Sequence, residues 1–183
     1  MKAFLVFIDE SGLLMAPLVR RSWAPQGQTP ILYHRTRSHR KVSVIAALCI
    51  APTRDRIHLF FRLHSDANIN APRVSDFLTT LKRHLRKRAV LVWDRFLPHR
   101  AKTVQSVIGK RHIHAYFLPP YAPELNPVEY GWSYLKINSM ANLVAVDLQS
   151  LTATTRSHGR PIQRKQCLLR SFVKHAPLSL RLK

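Results

Sequence analysis

The sequence predicts an α/β fold, a mixed five-stranded sheet with helices packed on it. Three apolar, strand-like runs precede any helical pattern, which favours an antiparallel meander. Two more strand runs then alternate with helical segments, which favours parallel pairing. Hydrophobic residues make up 46% of 183, enough for the core of one domain.

Residues 3–8 (AFLVFI) form a nearly continuous apolar run, too short for a helix, that reads as a buried strand stopping at Asp9. Ser11 and Gly12 then mark a turn, and residues 23–30 (WAPQGQTP) a loop or hairpin. Residues 41–50 (KVSVIAALCI) and 56–63 (RIHLFFRL) read as the second and third strands. Pro72 opens a helix in which Val74, Phe77, Leu78, Leu81 and Leu85 share one face. Its last turns carry Lys82, Arg83, Arg86, Lys87 and Arg88, either a solvated helix end or a DNA-facing patch. Residues 89–93 (AVLVW) form a fourth strand that ends at an aspartate, Asp94. A helix over 100–108, a fifth strand over 113–118 and a stiff Pro-rich connection over 119–126 follow. Asn126-Pro127 then starts a helix, with Asn as cap, Pro at the first helical position, and Val128, Trp132 and Leu135 on one face. One or two more helices are expected from Asp147 onward, one of them around 165–174.

Thirty Lys and Arg stand against nine Asp and Glu, a net charge of +21. Such a balance speaks for a polyanionic partner, and nucleic acid is the commonest. No apolar run approaches the roughly 20 residues of a membrane span, and the apolar start is too short for a signal peptide. Cys49 and Cys167 have no CxxC spacing, which fits a reduced, cytoplasmic compartment.

With so few acids, each must be asked what it does. Asp9 and Asp94 both end buried strands, and open α/β sheets bind ligands beyond the carboxyl ends of their strands. If those strands are adjacent and parallel, the two carboxylates sit side by side, which is unfavourable without a cation between them. Hard oxygen ligands select Mg²⁺ or Mn²⁺, and two such ions clamp the attacking and leaving oxygens of a phosphodiester. The plainer reading is that each Asp merely ends a strand and caps a turn. Glu129, in the first turn of a helix, is the best third carboxylate, although Asn126-x-x-Glu129 also resembles a capping box. Glu124 competes from the Pro-rich loop, and Glu10 alternates to the other side of the strand from Asp9.

IDESG at 8–12, VWDRFLPHR at 92–100 and LPPYAPELNPVEYGW at 118–132 together resemble the catalytic domain of mariner-type DDE transposases, in their bacterial insertion-sequence branch. Asp94 and Glu129 are separated by 34 residues (129 − 94 − 1), the spacing of that group between its second and third acids. WAPQGQTP and KVSVIAALC are similar to family segments, and the resemblance runs from about residue 3 to 155. It implies a ribonuclease-H-like fold over 1–155, and residues 156–183 are expected to form a basic helical extension of the same domain. It implies a catalytic and metal-binding triad of Asp9, Asp94 and Glu129 with two Mg²⁺ ions, Mn²⁺ substituting. The implied activity is cleavage of double-stranded DNA at element ends and joining of the 3′-OH to target DNA, with no covalent enzyme intermediate. A truncated, inactive fragment that only binds DNA is the alternative.

Where family members often have Asn after the second Asp, this sequence has Arg95, which either contacts a phosphate or pairs with Asp94. His99 matches a family His, as a phosphate or proton-transfer group or as a structural one. Residues 35–41 (RTRSHRK) form a basic loop. The expected DNA contacts are thus Arg35, Arg37, Arg40, Lys41, Arg95, His99 and Arg100. Trp23 and Tyr121 are candidates for stacking on a flipped base, while Trp132 reads as core. His112 and His114 share a strand face without a third ligand nearby. Helix-turn-helix modules normally precede this catalytic domain, yet the first strand begins about two residues after Met1. Sequence-specific recognition is therefore expected from a separate or frameshift-fused part, and this chain is expected to bind mainly phosphates. A homodimer acting on two ends and a nucleoid-associated location complete the expectations.

Overall fold

In the computed structural model, which describes residues 3–33, 40–110 and 113–183, five strands build one mixed sheet. They are β1 (Phe4–Leu14), β2 (Lys41–Ile50), β3 (Ile57–Ser65), β4 (Ala89–Trp93) and β5 (Ile113–Phe117). Their spatial order is β3-β2-β1-β4-β5. The first three form the expected antiparallel meander, and β1–β4 and β4–β5 pair in parallel. Helices α1 (Ala71–Leu85) and α2 (Lys102–Lys110) lie between the parallel strands in sequence, and α3 (Pro127–Tyr134), α4 (Leu148–Ile162) and α5 (Gln166–His175) follow.

β1 corrects one expectation. It does not stop at Asp9 or turn at Ser11-Gly12, because β2 pairs with it through Glu10–Ile45, Ser11–Val44 and Gly12–Ser43 as far as Leu14. A continuous ladder supplies the backbone partners that a turn would have had to provide locally.

Alternation along β1 divides the core into two layers. Val6 and Ile8 pack with Val74, Phe77, Leu78 and Leu81 of α1. Phe7 and Leu13 pack with Val128 and Trp132 of α3 and Leu169 and Phe172 of α5. β2, covered on both faces, is buried from Val42 to Ile50, as its near-continuous apolar run requires. The five predicted apolar positions of α1 are its five buried residues, and Asn70 caps it by accepting from the Arg73 N–H at 3.2 Å. Its cationic last turn lies at the start of β4, the opposite end of that strand from Asp94.

α4 carries a capping box between Asp147 and Ser150 and runs unbroken through residue 155. Gln163 donates to the Leu59 carbonyl at 2.8 Å, and the Gln166 amide brackets Ile57 by bonding both its N–H and its C=O. The chain after 155 is thereby tied into the same sheet. Gly159 lets α4 approach β3: a Cβ there would stand 2.8 Å from the Phe61 ring. Gly159→Val is expected to cost about 1–3 kcal/mol by overpacking, read as a lower denaturant midpoint with an unchanged slope. Among the described residues, no helix is long and apolar enough to cross a membrane.

Candidate active site

Parallel pairing of β1 with β4 sets Phe7 opposite Val92. Two residues further on stand Asp9, within β1, and Asp94, just past the carboxyl end of β4. Asn126 delivers the third carboxylate. Its side-chain oxygen accepts from the Val128 N–H at 3.3 Å, and its amide donates to the Ile8 carbonyl at 3.0 Å. The start of α3 is thus fastened to β1 one residue before Asp9. Asp9, Asp94 and Glu129 line one cleft of about 390 Å³, walled by Arg95, Phe96, Asn126 and residues 118–123.

The three carboxyls have different electrostatics. Asp9 is 7% exposed. Burial pushes its pKa up to about 8, and the charges of Glu129, Glu10 and Asp94 add to that, against a hydrogen bond from Trp132. In that bond the indole N–H of Trp132 donates to Asp9 Oδ2 at 2.8 Å. Burial also raises Glu129, opposed chiefly by the Lys136 ammonium. Lys136 is held by donating to Ser11 Oγ at 2.8 Å. Asp94 is held below the ordinary carboxylate range, chiefly by its hydrogen bond to His99 and further by the Phe96 N–H, against partial burial. Asp9 is thus pushed toward its protonated form and Asp94 toward its ionised form.

His99 corrects a second expectation. It is fully buried and stacks flat on Trp93, with ring centroids 4.0 Å apart. Its Nδ1 lies 3.0 Å from Asp94 Oδ1 and 3.2 Å from the Asp94 carbonyl, and its Nε2 lies 3.0 Å from Glu10 Oε1. Burial works against a charged ring, but the bonds to Asp94 and Glu10 outweigh it and lift the pKa to about 9. With both nitrogens engaged and no exposed surface, His99 has nothing to offer a DNA phosphate. Glu10 faces away from Asp9, as strand alternation predicts, and meets His99 there.

The other predicted contacts scatter. Arg95 is exposed on the cleft wall, and the ion-pair partner of Asp94 among the described residues is His99 rather than Arg95. Arg100 is exposed in the short helical turn after β4. Arg40 pairs with Asp66 at 3.2 Å, and Lys41 opens β2. Arg35, Arg37 and His112 lie outside the described residues, and His114 is exposed on β5. Tyr121 is fully exposed on the cleft wall with φ 56°, whereas Trp23, equally exposed, is not among the residues lining the cleft. Glu124 is likewise absent from that lining.

Among the described residues, a group of three whose ligand atoms lie within 4.8 Å of one another is Glu10, Asp94 and His99. The two His99 nitrogens face separate carboxylates, which is a hydrogen-bonded bridge rather than a ligand set. Asp9, Asp94 and Glu129 offer oxygen donors alone, the chemistry that suits Mg²⁺ or Mn²⁺. Burial first, and then the neighbouring charges of Glu129, Glu10 and Asp94, raise the Asp9 carboxyl. Sequence reasoning missed the role of Trp132. Its signal was the spacing, because three residues after Glu129 put it on the same helix face, and a buried indole N–H needs an acceptor.

Residues 4–152 match the family model of the DDE superfamily endonucleases. Solved structures of similar fold include the Mos1 strand transfer complex, at 16% identity and TM-score 0.59 over 97% of this chain and 56% of that one. The mariner Mos1 paired end complex with Mg matches at 15% identity and TM-score 0.66, over 93% and 52%. The catalytic domain of Mos1 mariner transposase matches at 13% identity and TM-score 0.56, over 97% and 84%. The chain thus spans about half the length of the transposase chains in those complexes. No curated protein matches the sequence significantly. At these identities the likeness shows the fold, which is the expected ribonuclease-H-like one, and the family match over most of the length shows that the chain belongs to the DDE superfamily endonucleases.

Proposed function

We propose that the chain is the catalytic domain of a DNA transposase, cutting phosphodiesters at element ends and joining the freed 3′-OH to target DNA. The observation that carries this reading is that Asp9, Asp94 and Glu129 line one cleft, in a basic chain of a DDE endonuclease family. Two divalent ions held by these carboxylates would activate the attacking oxygen and stabilise the leaving 3′-oxygen. Asp94, ionised at neutral pH, is the carboxylate ready to receive a cation. Asp9 would offer its carboxylate to an ion, and the Trp132 N–H keeps its Oδ2 oriented. Arg95, exposed on the cleft wall, and Arg100, exposed in the turn after β4, fit backbone phosphates, and Tyr121 on the wall fits an unstacked base. Double-stranded DNA of the nucleoid is the proposed substrate. A helix-turn-helix part, separate or fused, and a second copy for the second end are the proposed partners.

The test uses the purified chain with terminal-repeat duplex and Mn²⁺ or Mg²⁺, beside an Asp94→Ala variant. Nicking that requires the ion and disappears in the variant is expected. DNA affinity is expected to remain in the variant and to fall steeply with salt, as phosphate contacts dictate. Nicking that survives in Asp94→Ala sinks the catalytic assignment. Binding without nicking at any metal concentration points to an inactive DNA-binding fragment.

A further inference from the structure

We propose that His99 and Glu10 act as a positioning pair for Asp94, presenting its Oδ2 to the ion by holding its Oδ1. The inference rests on the reading of Asp94 as an ion ligand. Asp94 follows the last residue of β4 and its side chain is 55% exposed, so β4 alone does not fix its rotamer. Its Oδ1 nevertheless takes two donors, the Phe96 N–H at 3.0 Å and His99 Nδ1 at 3.0 Å. Oδ2 is the oxygen that remains for a cation.

The imidazole can hold a carboxylate because it is itself held. Trp93 stacks on one face, and Phe96 meets the ring edge-on, with centroids 5.6 Å apart at 84°. Gln105 fixes the backbone by donating to the His99 carbonyl at 2.7 Å. Nδ1 faces two oxygens of Asp94 and Nε2 faces Glu10 Oε1, so each ring nitrogen has an oxygen partner. Glu10 sits on the opposite side of β1 from Asp9 and serves His99, where it prevents a buried N–H from going unpaired. Fixing a ligand's orientation through such outer contacts is commonly worth 10–100-fold in metal affinity.

The experiment is Mn²⁺ titration of the full chain by electron paramagnetic resonance, with melting curves recorded in parallel. His99→Asn keeps a donor where Nδ1 stands, and His99→Gln keeps one nearer Nε2. Both lose the stack on Trp93 and should melt alike. Mn²⁺ affinity should fall about 10–100-fold in His99→Gln and much less in His99→Asn. Glu10→Ala should weaken Mn²⁺ binding by about tenfold with the fold retained. Equal weakening in both His99 variants, or affinity that simply follows the melting temperature, would overturn the proposal in favour of a structural histidine. If neither His99 variant folds, Glu10→Ala decides: wild-type Mn²⁺ affinity there overturns the proposal. Asp94→Ala separates this proposal from the one beneath it. Undiminished Mn²⁺ binding in Asp94→Ala removes Asp94 as a ligand altogether. Lost binding there with normal binding in His99→Gln and Glu10→Ala refutes the positioning role alone.

Discussion

Asp9→Asn is expected to raise the melting temperature of the metal-free protein at pH 8 while abolishing ion-dependent cleavage. The folded protein holds the Asp9 proton up to a pKa of about 8, against an ordinary value of 3.8. A carboxyl raised in this way binds its proton more tightly folded than unfolded. Its effect on stability is therefore absent below pH 4, grows unfavourable as pH rises, and is complete near pH 8. Asn does not titrate and still accepts from the Trp132 N–H, so the variant escapes the penalty. At about 1.4 kcal/mol per pKa unit the gain is on the order of a few kcal/mol, or roughly 5–10 °C for a chain of this size. Cleavage should fall by about 10³-fold or more, since an ion's electrostatic contribution to phosphoryl chemistry is worth several kcal/mol. Melting curves from pH 4 to pH 9 test the first half: a gap between variant and wild type that does not widen with pH rejects the raised Asp9 carboxyl. Nicking assays test the second.

Trp132 separates core from chemistry. Trp132→Ala removes a buried indole from the layer between β1, α3 and α5 and is expected to cost about 3–5 kcal/mol. That is a large part of a typical stability of 5–15 kcal/mol. Trp132→Phe keeps most of the apolar contact but deletes the N–H that reaches Asp9. It is expected to cost about 1–3 kcal/mol for an acceptor left short of a partner. Mn²⁺ affinity should nonetheless fall about 10–100-fold, because Asp9 loses the contact that orients it. Paired denaturant and Mn²⁺ titrations decide the matter. If Trp132→Phe binds Mn²⁺ like the wild type, the indole is core alone.

The elements that were legible in the sequence are those whose periodicity is dictated by burial. β2 reads as a strand because both its faces are covered, and α1 reads as a helix because one stripe of five residues faces the sheet. The three carboxylates stood out because the chain has nine acids in all. Most of the other six are also committed: Glu10 to His99, Asp66 to Arg40, Asp76 to Arg62, and Asp147 to the cap of α4. The full length of β1 was hidden, because Ser11 and Gly12 favour a turn locally and only pairing with β2 overrides them. The bridge from Glu10 through His99 to Asp94 was hidden for a related reason. It joins residues 89 positions apart, across a contact that no local pattern encodes.

The central place of β1 in the sheet also bears on how the protein reaches its active form. Pairing with β2 is comparatively local, but pairing with β4 closes a loop of about 80 residues, and such non-local pairings are entropically costly and slow. Asp9 and Asp94 become neighbours only when that loop closes, and Glu129 joins them only when α3 docks on β1 through Asn126. The cleft that these three carboxylates line is therefore a product of completed folding.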